Sequence, residues 1–227
     1  MKRSQFMIQD FPHLVKYVAS RNPVHLLLFV LPLWSFFLYH ALSTQSLTVT
    51  TVLAVLGGAV YWSFLEYVIH RFLYHTPYRS KFMKYFMGSF HSYHHQDMSD
   101  HRVLNAGFLM VYLVTPTVLS PLLLFTRDVQ LLSGLALGLV SAHYFYEWVH
   151  YTLHYKVHEE GYLAYIQNYH FHHHDKAPGK NFGNTSHVWD VVFGTYDPAY
   201  KNYSMPAATQ KSLITEKPNQ DLLHAEA

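Results

Sequence analysis

Cysteine is absent from the 227 residues, which excludes disulfides, thiolate-ligated haem and iron–sulfur clusters held by Cys alone. Charge is scarce too. Asp, Glu, Lys and Arg make up 13% of the chain and the formal net charge is +2, a balance that gives no basic footprint for nucleic acid. Long stretches carry no charge at all: between residues 104 and 146 only Arg127 and Asp128, a tight turn, interrupt the run.

What the chain does have is apolar, aromatic and rich in histidine. Its mean hydropathy of zero resembles that of a soluble protein only because 19 His and 19 Tyr offset four apolar blocks. The blocks, residues 24–42, 47–65, 104–125 and 129–146, each approach the roughly 20 residues that a membrane helix needs, and in lipid only a helix satisfies its own backbone. The expected fold is an all-α membrane protein with four transmembrane helices in two hairpins. No small-residue cleavage site follows the first block, so it reads as a span and not as a secretory signal. All Lys and Arg except Arg127 flank the blocks on one side, which the positive-inside rule makes cytoplasmic, with both termini there. Residues 1–22 alternate apolar and polar and are expected to lie along the membrane surface. Residues 23–203 form the integral membrane domain, and the polar, aperiodic residues 204–227 read as a disordered tail.

Ten histidines fall in four clusters beyond the second and fourth blocks: His70-x4-His75, His91-x2-His94-His95, His150-x3-His154 and His170-x2-His173-His174. On a helix, residues three and four apart lie within about 60° of one another, so three of these clusters each present rings from one face. His70 and His75 stand about 140° apart on an ideal helix; either the helix ends between them or a π-type widening brings them together. His172 points about 100° away from His173 and is left out of the ligand set. Ten imidazoles suit two metal ions with about five ligands each, held by a cytosolic helical cap. Carboxylates behind such ligands moderate the charge and orient ring N–H groups. Glu66, Glu147 and Asp190 are the candidates, and His143, Glu147, His150 and His154 share one helical face. Isolated histidines such as His13, His25, His40, His158, His187 and His224 read as boundary or solvated residues. A carboxylate-rich di-iron bundle needs two Glu-x-x-His pairs and two further Glu; Glu147-x-x-His150 is one such pair, and nothing provides the rest.

The segments "WSFLEYVIHRFLYH", "HSYHH", "YEWVHYTLH" and "YHFHHH...NFGNTSHVWDVVFGTY" resemble the fatty acid hydroxylase superfamily, the sterol-desaturase-like membrane di-iron proteins, and most of all its fatty acid 2-hydroxylases. The resemblance covers roughly residues 55–200 and includes all ten family histidines in order. It implies two iron ions, with zinc able to substitute in a purified sample, dioxygen as co-substrate, and hydroxylation of a lipid acyl chain at C2. Tyr146 and Glu147 fall where the 2-hydroxylases have Tyr-Asp, and with Glu66 and Asp190 they are the candidate catalytic residues. Past His95 the family's Pro-Pro is replaced by "HRVLNAGF". The b-type cytochrome domain of many eukaryotic relatives is missing from these residues, so the resemblance implies a separate electron donor, a b-type cytochrome or a ferredoxin and reductase. The implied location is a bacterial inner membrane or the endoplasmic reticulum. Tyr67, Phe72, Tyr74, Tyr146, Trp148 and Tyr151 either line the substrate's path or form an interfacial belt. Two alternatives remain. One is a carotenoid or sterol hydroxylase or desaturase with similar histidines. The other is a His-rich metal transporter, which needs polar residues near the membrane midplane; there the sequence offers no evident ionisable pair, with His143 the only deep candidate.

Overall fold

The computed structural model describes residues 20, 22–42, 48–76, 80, 91, 94, 95, 98 and 108–216. The expected surface segment 1–22 therefore lies outside the described residues except at Ser20 and Asn22, and so do residues 217–227. The described chain is helical throughout and contains no strand. Helix α1 spans Pro23–Leu42 and α2 spans Val49–Val68, continuing as a π-helix over Ile69–Tyr74. Helix α3 (Phe108–Leu119) runs into a 3-10 turn over Ser120–Leu124, and α4 is the long helix Val129–Tyr155. Beyond it lie α5 (Gly161–Asp175), α6 (Val188–Val192), a 3-10 turn at Pro198–Asn202, α7 (Ala207–Gln210) and a last 3-10 turn at Ile214–Glu216.

Among the described residues, three helices are long and apolar enough to cross a membrane: Pro23–Leu42, Val49–Tyr74 and Val129–Tyr155. Of the third apolar block, residues 104–107 lie outside the described residues, and the apolar helix described there, Val111–Leu124, changes from α to 3-10 part way along. Proline explains the break. Pro116 lies inside α3 and Pro121 at the start of the 3-10 turn, and each lacks the N–H that would extend the ladder. Hydroxyls take up two of the nearby carbonyls: Thr117 Oγ1 donates to Leu113 O at 2.7 Å and Ser120 Oγ to Thr117 O at 3.0 Å.

Helix ends are fixed by local chemistry. The Thr48 side chain caps α2 by accepting from Thr51 N, and Asp128 caps α4 by accepting from Leu131 N, as N-terminal caps do. Gln130 then joins three helices, its Nε2 donating to Ala41 O and Thr51 Oγ1. At the other end of α4, Gln167 Nε2 donates to the carbonyls of Leu153 and Lys156. Between α2 and α4 the backbones nearly touch. A Cβ at Gly58 would meet Leu135 O at 2.0 Å and one at Gly138 would meet Val55 O at 1.9 Å. Lipid gives apolar helices no reason to associate through burial alone, so close packing of small residues drives the pairing.

The paired helices overshoot the bilayer. Val49–Tyr74 has 26 residues and Val129–Tyr155 has 27, so at about 1.5 Å per residue each runs about 10 Å beyond a hydrocarbon core about 30 Å thick. His70, His150 and His154 lie at that end of the two helices, with His75 just past the π-helix. Below the overshoot, the core of the spans is Leu26, Val30, Trp62, Val111, Leu139 and Val140. Above it, α5 packs through Ile166 and Tyr169 onto Val149, Leu153 and Tyr200. The expectation of a disordered tail from Ser204 is corrected for residues 204–216. Leu213 is fully buried with Phe171, Met98 and Met205, and Thr209 Oγ1 donates to the Asp175 carboxylate at 3.0 Å. A strap without sequence periodicity is thus pinned by apolar anchors at Met205 and Leu213 and polar ones at Thr209 and Thr215.

Candidate metal centre

The π-helix settles the first pair of histidines. His75 N donates to His70 O at 3.3 Å, a bond five residues long, so the two residues stand one widened turn apart and face the same space. There they meet His91, His95 and His173, one ligand atom from each of the five lying within 4.8 Å of the rest. A second group, His94, His150, His154 and His170, meets the same limit. His174 is outside both but wedged beside them. Its ring centroid is 4.0 Å from that of His95 and 4.4 Å from that of His170, and neither of its nitrogens has a hydrogen-bond partner among the described residues. The expected five and five is therefore five and four, with the tenth histidine adjoining both. His172 stands apart, its Nδ1 3.3 Å from Asn181 Nδ2.

One loop orients the rings. His70 Nδ1 donates to Phe182 O at 2.5 Å, His173 Nδ1 to Lys180 O at 2.6 Å and His170 Nδ1 to Asn184 Oδ1 at 2.8 Å. Carbonyls only accept, so Nδ1 carries the proton in each ring and Nε2 presents a lone pair inward. The loop is itself held by buried carboxylates. Asp190 accepts from the N–H groups of Phe182 and Gly183 and from Thr195 Oγ1. Glu66 accepts from Asn184 N, Thr185 N and Thr185 Oγ1. Gly183 is required for this path, because a Cβ there would sit 1.9 Å from Ser186 O.

The geometry fits metal ions. In the five-member group the Nε2 atoms approach one another at 2.8–3.2 Å, and in the four-member group at 2.8 Å (His154–His170) and 3.2 Å (His94–His150). His70 and His173 both present lone pairs to His75 Nε2, which has at most one N–H to donate, so hydrogen bonding alone does not satisfy the group and a shared cation would. A metal bound to imidazole at about 2.0–2.1 Å places neighbouring ligand nitrogens about 3 Å apart when they meet at right angles. Burial also keeps the rings neutral, as ligands must be. It pushes His75 down to about 4 and His95 down to about 3, His95 with help from the nearby His75 and His150. Desolvation, then neighbouring imidazoles, hold His91, His94, His170, His173 and His174 well below the ordinary histidine value.

The carboxylates occupy other roles than expected. Glu66 and Asp190 do not meet the ligand rings through the bonds just described; they act one step back, through the loop. Glu147 is paired with His143, whose Nε2 lies 3.2 Å from Oε1 in a buried pair. This ionisable pair joins His143 of the fourth block to Glu147 just beyond it, on the helical face the sequence assigns to both, and Trp62 stacks on His143 with centroids 4.2 Å apart. Tyr146 stacks on His150 at 5.8 Å, and Asn184 lies within hydrogen-bonding reach of its hydroxyl. Among the other aromatics, Tyr67 is buried and Tyr74 stacks on His91 at 4.8 Å, whereas Phe72 and Trp148 are exposed. Sequence reasoning missed Asn184 and the carbonyls of Lys180 and Phe182. The available signal was "NFGN", a Gly between two Asn, which marks a tight backbone path.

The profile of the Fatty acid hydroxylase family matches residues 55–195. The chain is 34% identical to "Dihydroceramide fatty acyl 2-hydroxylase FAH2" of Arabidopsis thaliana over 63% of its own length and 60% of that protein's. It is 33% identical to "Ceramide very long chain fatty acid hydroxylase scs7" of Schizosaccharomyces pombe, over 63% of this chain and 42% of the relative. With "Fatty acid 2-hydroxylase" of Mus musculus it shares 30% identity over 62% and 38%. The match thus spans 60% or less of each of these relatives. A solved structure, "Full length scs7p (only hydroxylase domain visible)", superposes with a TM-score of 0.69 at 24% identity, covering 82% of this chain and 70% of that one, which shows a shared fold. With all ten histidines gathered in one helical assembly and the profile covering the region that contains them, the chain belongs to the fatty acid hydroxylase family.

Proposed function

We propose that the chain is an integral membrane oxygenase that holds two iron ions on its ten clustered histidines and hydroxylates a lipid acyl chain at C2, using dioxygen and a separate electron donor. The observation that carries this reading is the convergence of inward-facing Nε2 atoms in two adjoining groups at the end of two membrane-length helices. The names of the three relatives agree with it. The chain has four passes in this reading, with the proline-broken α3 and its 3-10 turn as the third, and both termini are cytoplasmic, as the distribution of Lys and Arg supports.

When bound, the iron ions provide the activation of dioxygen that amino-acid side chains lack. The protein's part is placement. The loop from Lys180 to Asn184 holds three ring N–H groups, so the lone pairs of His70, His170 and His173 stay aimed inward. A centre in the helix overshoot lies just outside the hydrocarbon core, at the depth of C2, the carbon beside the headgroup linkage. Tyr146, stacked on His150, and Glu147, paired with His143, are the polar groups one turn below the ligands. They lie on the bilayer side of the ligands, the side from which an acyl chain would reach the centre. Mass spectrometry of lipid extracts from cells with and without the protein tests the reading. Acyl chains that gain one oxygen, placed at C2 by fragmentation, are the expected result. Unchanged lipids from metal-loaded, reductant-supplied protein would overturn it.

A further inference from the structure

Helix α6 shows an apolar side to the exterior. Val188, Val191, Val192 and Phe193 are 45–61% exposed, within a six-residue stretch whose polar atoms are cared for. Val191, Phe193 and Gly194 donate their N–H groups to local carbonyls, and Val188 N donates to Ser186 Oγ. Asp190, the acid of the stretch, is turned fully inward onto the metal-centre loop. Contiguous exposed apolar side chains mark a contact surface more often than chance.

The position of α6 says what the contact is. Trp189 Nε1 donates to Ser63 Oγ at 3.0 Å, and its ring meets Phe64 edge-on at 5.1 Å. Both residues belong to α2, 14 and 15 residues from its start at Val49. At about 1.5 Å per residue, Phe64 is about 22 Å along a helix that crosses about 30 Å of hydrocarbon, so it is still inside the core. The exposed face of α2 below it, Leu53, Leu56 and Val60, is the face turned to lipid. The outward side of α6 continues that face.

We propose that α6 and Phe193 form a wedge seated among the acyl chains of the leaflet on the metal-centre side. The outward side of the short helix covers none of the described residues; its valines lie in lipid, while Asp190 on its other side grips Phe182 and Gly183. The loop that orients the ligand rings is therefore attached to an element at the bilayer boundary. This inference needs the membrane placement of α2 but not the proposed reaction.

The absence of cysteine makes the test direct, since Val191→Cys introduces the only thiol. The variant is labelled with an environment-sensitive fluorophore and placed in phosphatidylcholine nanodiscs, with Lys201→Cys, at an exposed site in the 3-10 turn after α6, as control. A wedge about 5–10 Å below the headgroup boundary gives strong quenching by lipids spin-labelled high on the acyl chain and loss of iodide quenching relative to the control. Val188→Cys, at an independent position on the same side, is expected to behave alike. Iodide quenching equal to the control overturns the proposal, as does a Val191→Cys crosslink between two copies, which would make the surface a self-interface.

Discussion

The two histidine groups differ in how they are supported. Among the five, His75, His91 and His95 are only partly buried, whereas all four members of the other group are buried. Two of the five, His70 and His173, are tied by Nδ1 to backbone carbonyls, which cannot rotate away. Of the four, His170 is tied to a side-chain amide, and His94 and His154 have no Nδ1 partner among the described residues. One group is thus more open but more firmly anchored; the other is enclosed, has one fewer member and is held more by packing. The difference teaches that burial and preorganisation are separate means of building a ligand set, since outer partners fix ring orientation and burial alone does not.

The largest expected effect comes from removing a member of the smaller group. His150→Ala, and likewise His94→Ala, is expected to abolish turnover and lower bound metal by up to about one ion per chain, because the loss of one imidazole from a group of four weakens that ion's hold and alters its geometry. Metal analysis of the purified, membrane-inserted variant is the check, and full activity in either variant would sink the two-metal assignment. Gly183→Ala comes next. Its Cβ would clash with Ser186 O, shifting the loop that serves both groups, so both ions are expected to weaken by about 10–100-fold. A loss confined to one group would show that the anchors work independently.

Asn184→Ala separates the groups. It removes the partner of His170 alone and leaves the carbonyls of Lys180 and Phe182 in place. A loss of about 10–100-fold in affinity is expected for one ion, with the other unchanged. Chelator competition read by metal analysis should show a single fast-leaving ion. Equal loss of both ions would mean that the amide acts through the loop and not through His170.

How far this asymmetry could be read beforehand depends on the residue. The gathering of the histidines was legible because helical spacing ties ring direction to sequence number, and the same rule set His172 apart. The π-turn at His70 and His75 appeared as one of two outcomes, because 140° of separation has only those remedies. The carboxylate roles were not legible. Glu66 meets Asn184 and Thr185 across 118 and 119 residues, and no local pattern marks such a bond. The anchors at Lys180 and Phe182 are backbone oxygens, which every residue possesses. Pro116 and Pro121 were visible inside the third block, yet block length counts apolar residues and overlooks missing donors. Leu213 was hidden differently, because the few apolar residues of its segment follow no helical or strand period.

The smallest effect concerns protons, and it probes the more open group. His75 and His95 are held down at about 4 and about 3 in the folded chain, while an unfolded histidine titrates near 6.5. Between about 6.5 and 4 the unfolded chain binds protons that the folded chain does not, so folded stability falls as pH falls through that window and is retained above it. In metal-free protein, the thermal unfolding midpoint is therefore expected to be lower at pH 5.5 than at pH 7.5. Replacing both residues with Asn should shrink that difference, because the two titrations are then gone. Bound metal should shrink it as well, by competing with protons for the same nitrogens. If the Asn variant keeps the full pH dependence, the proton sensitivity belongs to the other clustered histidines, and His75 and His95 contribute less than their position suggests.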